Sequence, residues 1–322
     1  MESSMNIVVL DGYTLNPGDN PWTPVEALGR LTVYDRTGPD KIIERALPAD
    51  VILTNKTPLT KETLAHLPNL KFISVLATGF NVVDVQTARK RSIPVSNVPV
   101  YGTDSVAQFV FALLLELCHH VGDHANAVKQ GQWTANPDFS FWTTPLVELA
   151  GKTMGLVGFG RIGRRVGALA SAFEMKVIAH DAVRGGAPDF SPFEWVSLDE
   201  VFRRSDVVSL HCPQTTENAG FVNQALLKRM QPHAFFINTA RGGLVNETDL
   251  AEALNAGRLA GAGVDVVSAE PIRENNPLLK AKNCLITPHH AWATLSARKR
   301  LMGTTAENIA GFVKGKPVNV VN

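Results

Sequence analysis

Short runs of branched apolar residues alternate along this chain with stretches whose apolar positions recur every three or four residues. NIVVLDG (6–12), LTVYD (31–35), DVILTN (50–55), KFISVLAT (71–78) and IPVSN (93–97) have the length and Val/Ile content of strands. PDKIIERAL and TKETLAHL between them carry helical spacing, and a long helical segment runs from about Thr103 to Gln130. A second series follows: TMGLVG (153–158), KVIAHD (176–181), VVSLH (207–211), AFFINTA (234–240), GAGVDVV (261–267) and CLITP (284–288). The stretch from Ser296 to about Val313 is again helical. Strand–helix alternation predicts βα units, and two series joined by a long helix predict an α/β protein of two doubly wound parallel-sheet domains.

Composition narrows the class. The chain has 322 residues, 45% of them hydrophobic and 19% charged, which is ample for a packed core and favours two domains over one. A formal net charge of +1, with no long block of one sign, gives no electrostatic support to nucleic-acid or membrane-surface partners. Cys118, Cys212 and Cys284 lie far apart and suit neither a disulfide framework nor a metal knuckle, which points to a reducing, cytoplasmic setting. The start, MESSMNIVVLDG, has no basic region and no cleavable apolar core, so no signal peptide is expected. The longest apolar stretch, VAQFVFALLLELC, contains Gln108 and Glu116 and is shorter than the roughly 20 residues a bilayer span needs. It reads as a buried helix with more apolar surface than one small domain uses, and so as part of a homodimer interface near 103–121. Neither a repeat nor a low-complexity segment interrupts the pattern.

The strand TMGLVG runs directly into GFGRIG and then into the helical RRVGALASAF. Gly158 permits the tight turn, Gly160 lets a pyrophosphate approach the backbone, and Gly163 lets helix and strand close together. Amides at the helix start then hold the anion. Such a turn can exist for packing alone. Here, however, the next strand ends in Asp181, where a carboxylate would bond the adenosine ribose hydroxyls and repel a 2′-phosphate. NAD is therefore expected over NADP, with Arg184 close enough to soften the choice.

In a doubly wound sheet, ligands bind beyond the carboxyl ends of the strands. FFINTARGG puts Arg241 there; GVDVVSAEP puts Asp265 within a strand and Glu270 shortly after it; LITPHHAW puts His289 past a third strand. A cation, a carboxylate and an imidazole at one edge suit hydride transfer at a carbon bearing oxygen. The imidazole would exchange the proton, the carboxylate would fix its tautomer, and the arginine would bind a substrate carboxylate. Taken singly, Arg241 also suits a surface loop, Glu270 a turn before Pro271, and His289 a satisfied buried histidine.

Taken together, LATGFNVVDV, TMGLVGFGRIG, HCPQTTENAG, INTARGGLVNETDL, GAGVDVVSAEPIRENNPLL and ITPHHAWAT resemble the D-specific 2-hydroxyacid dehydrogenase family, in its hydroxypyruvate reductase (glycerate dehydrogenase) branch. The resemblance covers nearly the whole chain. It implies Arg241, Glu270 and His289 as a catalytic trio, with His289 rather than His290 in the position directly after the proline. It also implies a Rossmann NAD-binding domain at 100–289, inserted into a flavodoxin-like substrate domain made of 1–99 and 290–322, with substrate in the cleft between them. The substrate carboxylate would be held by amides around Ala77, Thr78 and Gly79 together with Arg241, beside His289. NAD contacts are implied at Gly158, Gly160, Arg161, Ile162, Gly163, Asp181, Cys212, Pro213, Thr239, Ala240, Asp265 and His289, with Asp265 on the nicotinamide carboxamide.

The pattern departs from the family at Gln108, where members often carry Glu. Lys56 either adds positive charge near substrate or is a solvated lysine. Trp142 either reaches a partner subunit's site, as a tryptophan of this region does in hydroxypyruvate reductases, or anchors a dimer interface. His119, His120 and His124 have metal-like spacing but no accompanying ligands and read as a helix surface. The resemblance thus implies an NAD-dependent D-2-hydroxyacid dehydrogenase acting on a small 2-keto acid, hydroxypyruvate/D-glycerate first and glyoxylate/glycolate next. A phosphoglycerate dehydrogenase-like enzyme and an NAD-sensing regulator of the C-terminal binding protein corepressor type are the alternatives. Formate dehydrogenases carry Gln where Glu270 stands.

Overall fold

The computed structural model describes residues 5–322; Met1–Ser4, the beginning of the segment read above for a signal peptide, lie outside the described residues. The chain forms two compact units, Met1–Gly102 with Trp292–Asn322, and Thr103–Ala291.

The first unit runs β1 (Asn6–Val9), α1 (Thr23–Glu26), β2 (Arg30–Val33), α2 (Ile42–Ala46), β3 (Val51–Thr54), α3 (Lys61–Ala65), β4 (Phe72–Val75), α4 (Val85–Lys90) and β5 (Val95–Ser96). Its sheet is parallel throughout, in the order β2-β1-β3-β4-β5. β3 and β4 are buried at every position, because helices cover both faces of such a sheet. That is why they read in sequence as unbroken apolar runs. Thr60 and Asp84 cap α3 and α4 by accepting the amides of Thr63 and Thr87, which fixes where each βα loop ends.

The second unit begins with α5 (Thr103–His119) and α6 (Val121–Lys129). It continues through β6 (Thr153–Val157), α7 (Arg161–Ala172), β7 (Lys176–His180), β8 (Phe193–Trp195), α8 (Leu198–Arg204), β9 (Val207–Leu210), α9 (Gln224–Leu227), β10 (Phe235–Asn238), α10 (Glu247–Asn255), β11 (Gly261–Val264) and β12 (Cys284–Ile286). Its seven strands are parallel, in the order β12-β11-β10-β9-β6-β7-β8. Strand order reverses between β6 and β9, the switch point at which an open α/β sheet takes a nucleotide. The last helix, α11 (Leu295–Val313), is capped by Thr294 and packs on α1 and β4 of the first unit.

The doubly wound α/β architecture and its Rossmann sheet are as the sequence led us to expect, with three local differences. The helix expected from Thr103 to Gln130 breaks at His120, whose φ of 47° is left-handed, so α5 and α6 meet at a 54° bend. β8 was not anticipated; its short FEW run is held by rings, with Phe193 and Trp195 packing on each other and on Phe159. Asp265 stands just beyond β11 rather than within it. Among the described residues no single helix is long and apolar enough to cross a membrane.

Candidate active site

The glycine-rich turn closes the end of β6 against the end of β9. Gly158 has a φ of +93°, and a Cβ there would lie 2.5 Å from the Cys212 amide nitrogen and 2.6 Å from the His211 carbonyl carbon. A Cβ on Gly163 would overlap the Gly158 carbonyl oxygen. Gly160, by contrast, faces open space at the head of α7, whose N-cap position makes no side-chain cap bond. An uncapped helix start in open space suits a pyrophosphate.

Asp181 follows β7, and its carboxylate accepts the Phe159 amide at 2.6 Å and the Val183 amide at 3.2 Å. It is thereby tied to the glycine turn itself. Cys212 and Pro213 follow β9, and burial pushes the Cys212 thiol up to about 11, so it stays uncharged. At the end of β10 the hydroxyl of Thr239 is buried and has no partner among the described residues, next to Ala240. An orphaned hydroxyl, an open glycine turn and a carboxylate on the adjacent strand fit an NAD molecule laid along this edge.

Arg241, Glu270 and His289 follow β10, β11 and β12, three neighbouring strands. Asn238 sets the Arg241 turn: its Nδ2 donates to the Arg241 carbonyl at 2.9 Å and its Oδ1 accepts the Ala240 amide at 3.0 Å. The guanidinium is exposed, donating locally to the Ala240 carbonyl at 2.6 Å. Gly242 has no room for a Cβ, which would overlap the Val267–Ser268 peptide. The turn after Arg241 therefore presses on the loop that carries Glu270.

Glu270 Oε2 lies 2.6 Å from His289 Nδ1, and Glu270 Oε1 accepts the Val267 amide at 3.3 Å. A ring nitrogen bonded to a carboxylate is the one that carries the fixed proton, which leaves Nε2 to exchange protons with a ligand. His289 has a φ of 51°, and its amide is directed to the Asp265 carbonyl at 2.8 Å. A left-handed histidine costs energy and persists only where its surroundings fix it. Asp265 is what fixes them. Its side chain, 1% exposed, accepts the Thr287 hydroxyl (2.6 Å) and the amides of His290 (3.0 Å) and Ala291 (2.9 Å).

The ring of His290 packs edge-on against Phe109 instead, with centroids 4.8 Å apart. Among the described residues, of the two adjacent imidazole rings only that of His289 meets a carboxylate.

In the first unit, Ala77, Thr78 and Gly79 follow β4. Their carbonyl side is engaged: the Ala77 oxygen accepts the Val98 amide at 3.0 Å and the Thr78 oxygen accepts Asn97 Nδ2 at 2.7 Å. Their three amides have no acceptor among the described residues. Asp11, at the end of β1, accepts the amides of Asn55, Lys56 and Thr57 at 2.8, 2.6 and 2.7 Å, which fixes the loop after β3 and leaves the Lys56 side chain exposed. Gln108 lies exposed on α5.

The histidine cluster is used within the chain. His124 faces the His120 carbonyl through Nδ1 at 2.8 Å and accepts the Thr143 amide at Nε2, 3.2 Å. Trp142, 64% exposed, stands beside it in the loop after α6. Sequence reasoning missed Asn238, Ser268 and Glu247, which shape the loops around Arg241 and Glu270. Their signal was hidden because each reads as an ordinary turn or helix-start residue.

A profile of the family described as "D-isomer specific 2-hydroxyacid dehydrogenase, NAD binding domain" matches residues 111–291. A hydroxypyruvate reductase of Blautia hydrogenotrophica is 52% identical over 99% of this chain and 100% of its own. A glycerate dehydrogenase of Methylorubrum extorquens is 38% identical over 88% of each chain. Among solved structures, a D-lactate dehydrogenase of Aquifex aeolicus complexed with NAD and lactic acid superposes with a TM-score of 0.82 at 30% identity, covering 97% of this chain and 96% of that one.

Proposed function

The chain belongs to the D-isomer specific 2-hydroxyacid dehydrogenase family, in its hydroxypyruvate reductase branch, and on that premise we propose that it reduces hydroxypyruvate to D-glycerate, with glyoxylate as its next best substrate. It is an NAD-dependent oxidoreductase of 2-hydroxy acids. NADH, when bound, supplies the hydride.

The chain's own residues do the rest in this reading. Arg241 binds the substrate carboxylate with two parallel donors and polarises the neighbouring keto oxygen. As negative charge grows on that oxygen, the proton on His289 Nε2 passes to it; in the reverse direction Nε2 takes it back. Glu270 holds the ring by Nδ1 and balances the imidazolium charge. The open amides of Ala77, Thr78 and Gly79 keep the role of carboxylate donors. Asp181 receives the adenosine ribose hydroxyls, and the uncapped start of α7 receives the pyrophosphate. A carboxylate offers about four acceptor positions, so Asp265 can hold its loop and still accept from a carboxamide.

The observation that carries the reading is the 2.6 Å contact between His289 Nδ1 and Glu270 Oε2 at the edge where Arg241 also emerges. His289→Gln should lower kcat by about 1000-fold, the scale of a lost general acid–base. His290→Gln, which loses only the packing on Phe109, should stay within about 10-fold of wild type. Steady-state NADH oxidation measures both, and the reverse order would refute the assignment. We place the enzyme in the cytoplasm, in keeping with its three free cysteines, and as a homodimer through the long helix near 103–121 and the loop around Trp142.

A further inference from the structure

Residues 265–276 contain no helix or strand, so no backbone ladder sets the position of Glu270. Side-chain clamps do. Glu247, the first residue of α10, turns its carboxylate away from its own helix. Its Oε1 accepts the Ser268 amide at 2.7 Å, and its Oε2 accepts the Ser268 hydroxyl at 2.6 Å and Asn276 Nδ2 at 3.0 Å. Ser268 and Asn276 bracket Glu270 on either side. Asn246 caps the helix by accepting the Asp249 amide, so Glu247 is not needed for that task.

The same peptide is gripped from a second direction. Gly242, in the turn after Arg241, packs so closely on Val267–Ser268 that no side chain fits between them. Val267 in turn donates its amide to Glu270 Oε1 at 3.3 Å. One peptide is therefore locked between the arginine turn and the Glu247 carboxylate, and Glu270 is hung from it.

We propose that Glu247 is a positioning residue for the reaction: by clamping Ser268 and Asn276 it holds Glu270 at hydrogen-bond distance from His289. This rests on the role given to Glu270 above, and a double-mutant cycle separates the two claims. The measurement is kcat for NADH-dependent reduction of hydroxypyruvate, normalised to NADH-binding sites, in wild type, Glu247→Ala, Glu270→Gln and the double variant.

Glu247→Ala should lower kcat about 10-fold, with KM for hydroxypyruvate within about 2-fold, because misplacing a catalytic group costs turnover more than binding. In the Glu270→Gln background the same change should cost less than about 2-fold, since a residue that acts only through Glu270 has nothing left to act on. An equal factor in both backgrounds, or none in wild type, overturns the proposal. A Glu270→Gln variant as fast as wild type overturns the role of Glu270 itself. Glu247→Gln keeps the size but only one acceptor oxygen, so it cannot accept all three bonds from Ser268 and Asn276 at once; it should fall between wild type and Ala. It takes the place of Ala in the cycle should Ala not fold.

Discussion

His289 and His290 share a peptide bond and almost nothing else. The first has a left-handed backbone and a carboxylate 2.6 Å from its ring; the second leans on Phe109. Which of them meets the acid was legible only through the resemblance of ITPHHAWAT, because residue types alone give no direction in a loop. Asp265 marks the same boundary. Its place at the ligand edge could be read from the sequence, yet its three bonds to Thr287, His290 and Ala291 join residues more than twenty positions away. The position of Asp181 at the end of β7, beside the glycine turn, was legible from the strand pattern of KVIAHD. Its carboxylate is already oriented by the Phe159 and Val183 amides. Asp181→Ala should raise the KM for NADH by about 10-fold, the worth of one charge-assisted hydrogen bond. The same variant should narrow the gap between NADH and NADPH by removing repulsion. Initial-rate kinetics with both cofactors check this, and an unchanged preference would remove Asp181 from the ribose site.

At the scale of elements, the parallel strands were visible because burial on both faces leaves no polar alternation: VILT and FISV are apolar or small at every position. β8 escaped notice because three residues carry too little pattern, and its rings do the work that length does elsewhere. The break between α5 and α6 was invisible since nothing in a sequence marks a left-handed histidine. That break has a consequence. It turns α6 so that His124 Nε2 accepts the Thr143 amide, and the Trp142 loop is pinned with its indole outward. If this indole reaches a partner's site, Trp142→Ala should raise KM for the keto acid about 10-fold, the loss expected for one buried aromatic anchor. An unchanged KM for hydroxypyruvate, glyoxylate and pyruvate alike would leave Trp142 an interface residue only.

For the whole molecule, His211 and Asp19 are two of the titrating groups that shape stability against pH, and both act in the same direction. His211 keeps part of its surface in solvent, but its Nε2 lies 3.0 Å from the buried Ser209 hydroxyl, and burial pushes its pKa down to about 3. An unfolded histidine protonates near about 6.5, so between those values the unfolded chain binds the extra proton and stability falls as pH falls. Asp19 pairs with the buried guanidinium of Arg298 at 2.5 and 2.7 Å, and the Arg298 hydrogen bond holds its carboxyl below the ordinary range. Its contribution is present above about pH 4 and is lost as pH drops through the lowered value. Melting temperature should therefore decline from about pH 6.5 downward. His211→Asn should flatten the part above about pH 4, and Asp19→Asn should lower the neutral-pH plateau while converging on wild type in acid. An unaltered slope in His211→Asn would mean that its ring is not shielded as described.

The central claim is that this chain reduces a small 2-keto acid with NADH through Arg241, Glu270 and His289. One assay reaches it directly: NADH oxidation with hydroxypyruvate, glyoxylate, pyruvate and 3-phosphohydroxypyruvate under the same conditions. The account predicts the highest kcat/KM for hydroxypyruvate, glyoxylate second and the phosphorylated acid far behind. Tight NADH binding with no turnover of any of the four, or a clear preference for 3-phosphohydroxypyruvate, would contradict it.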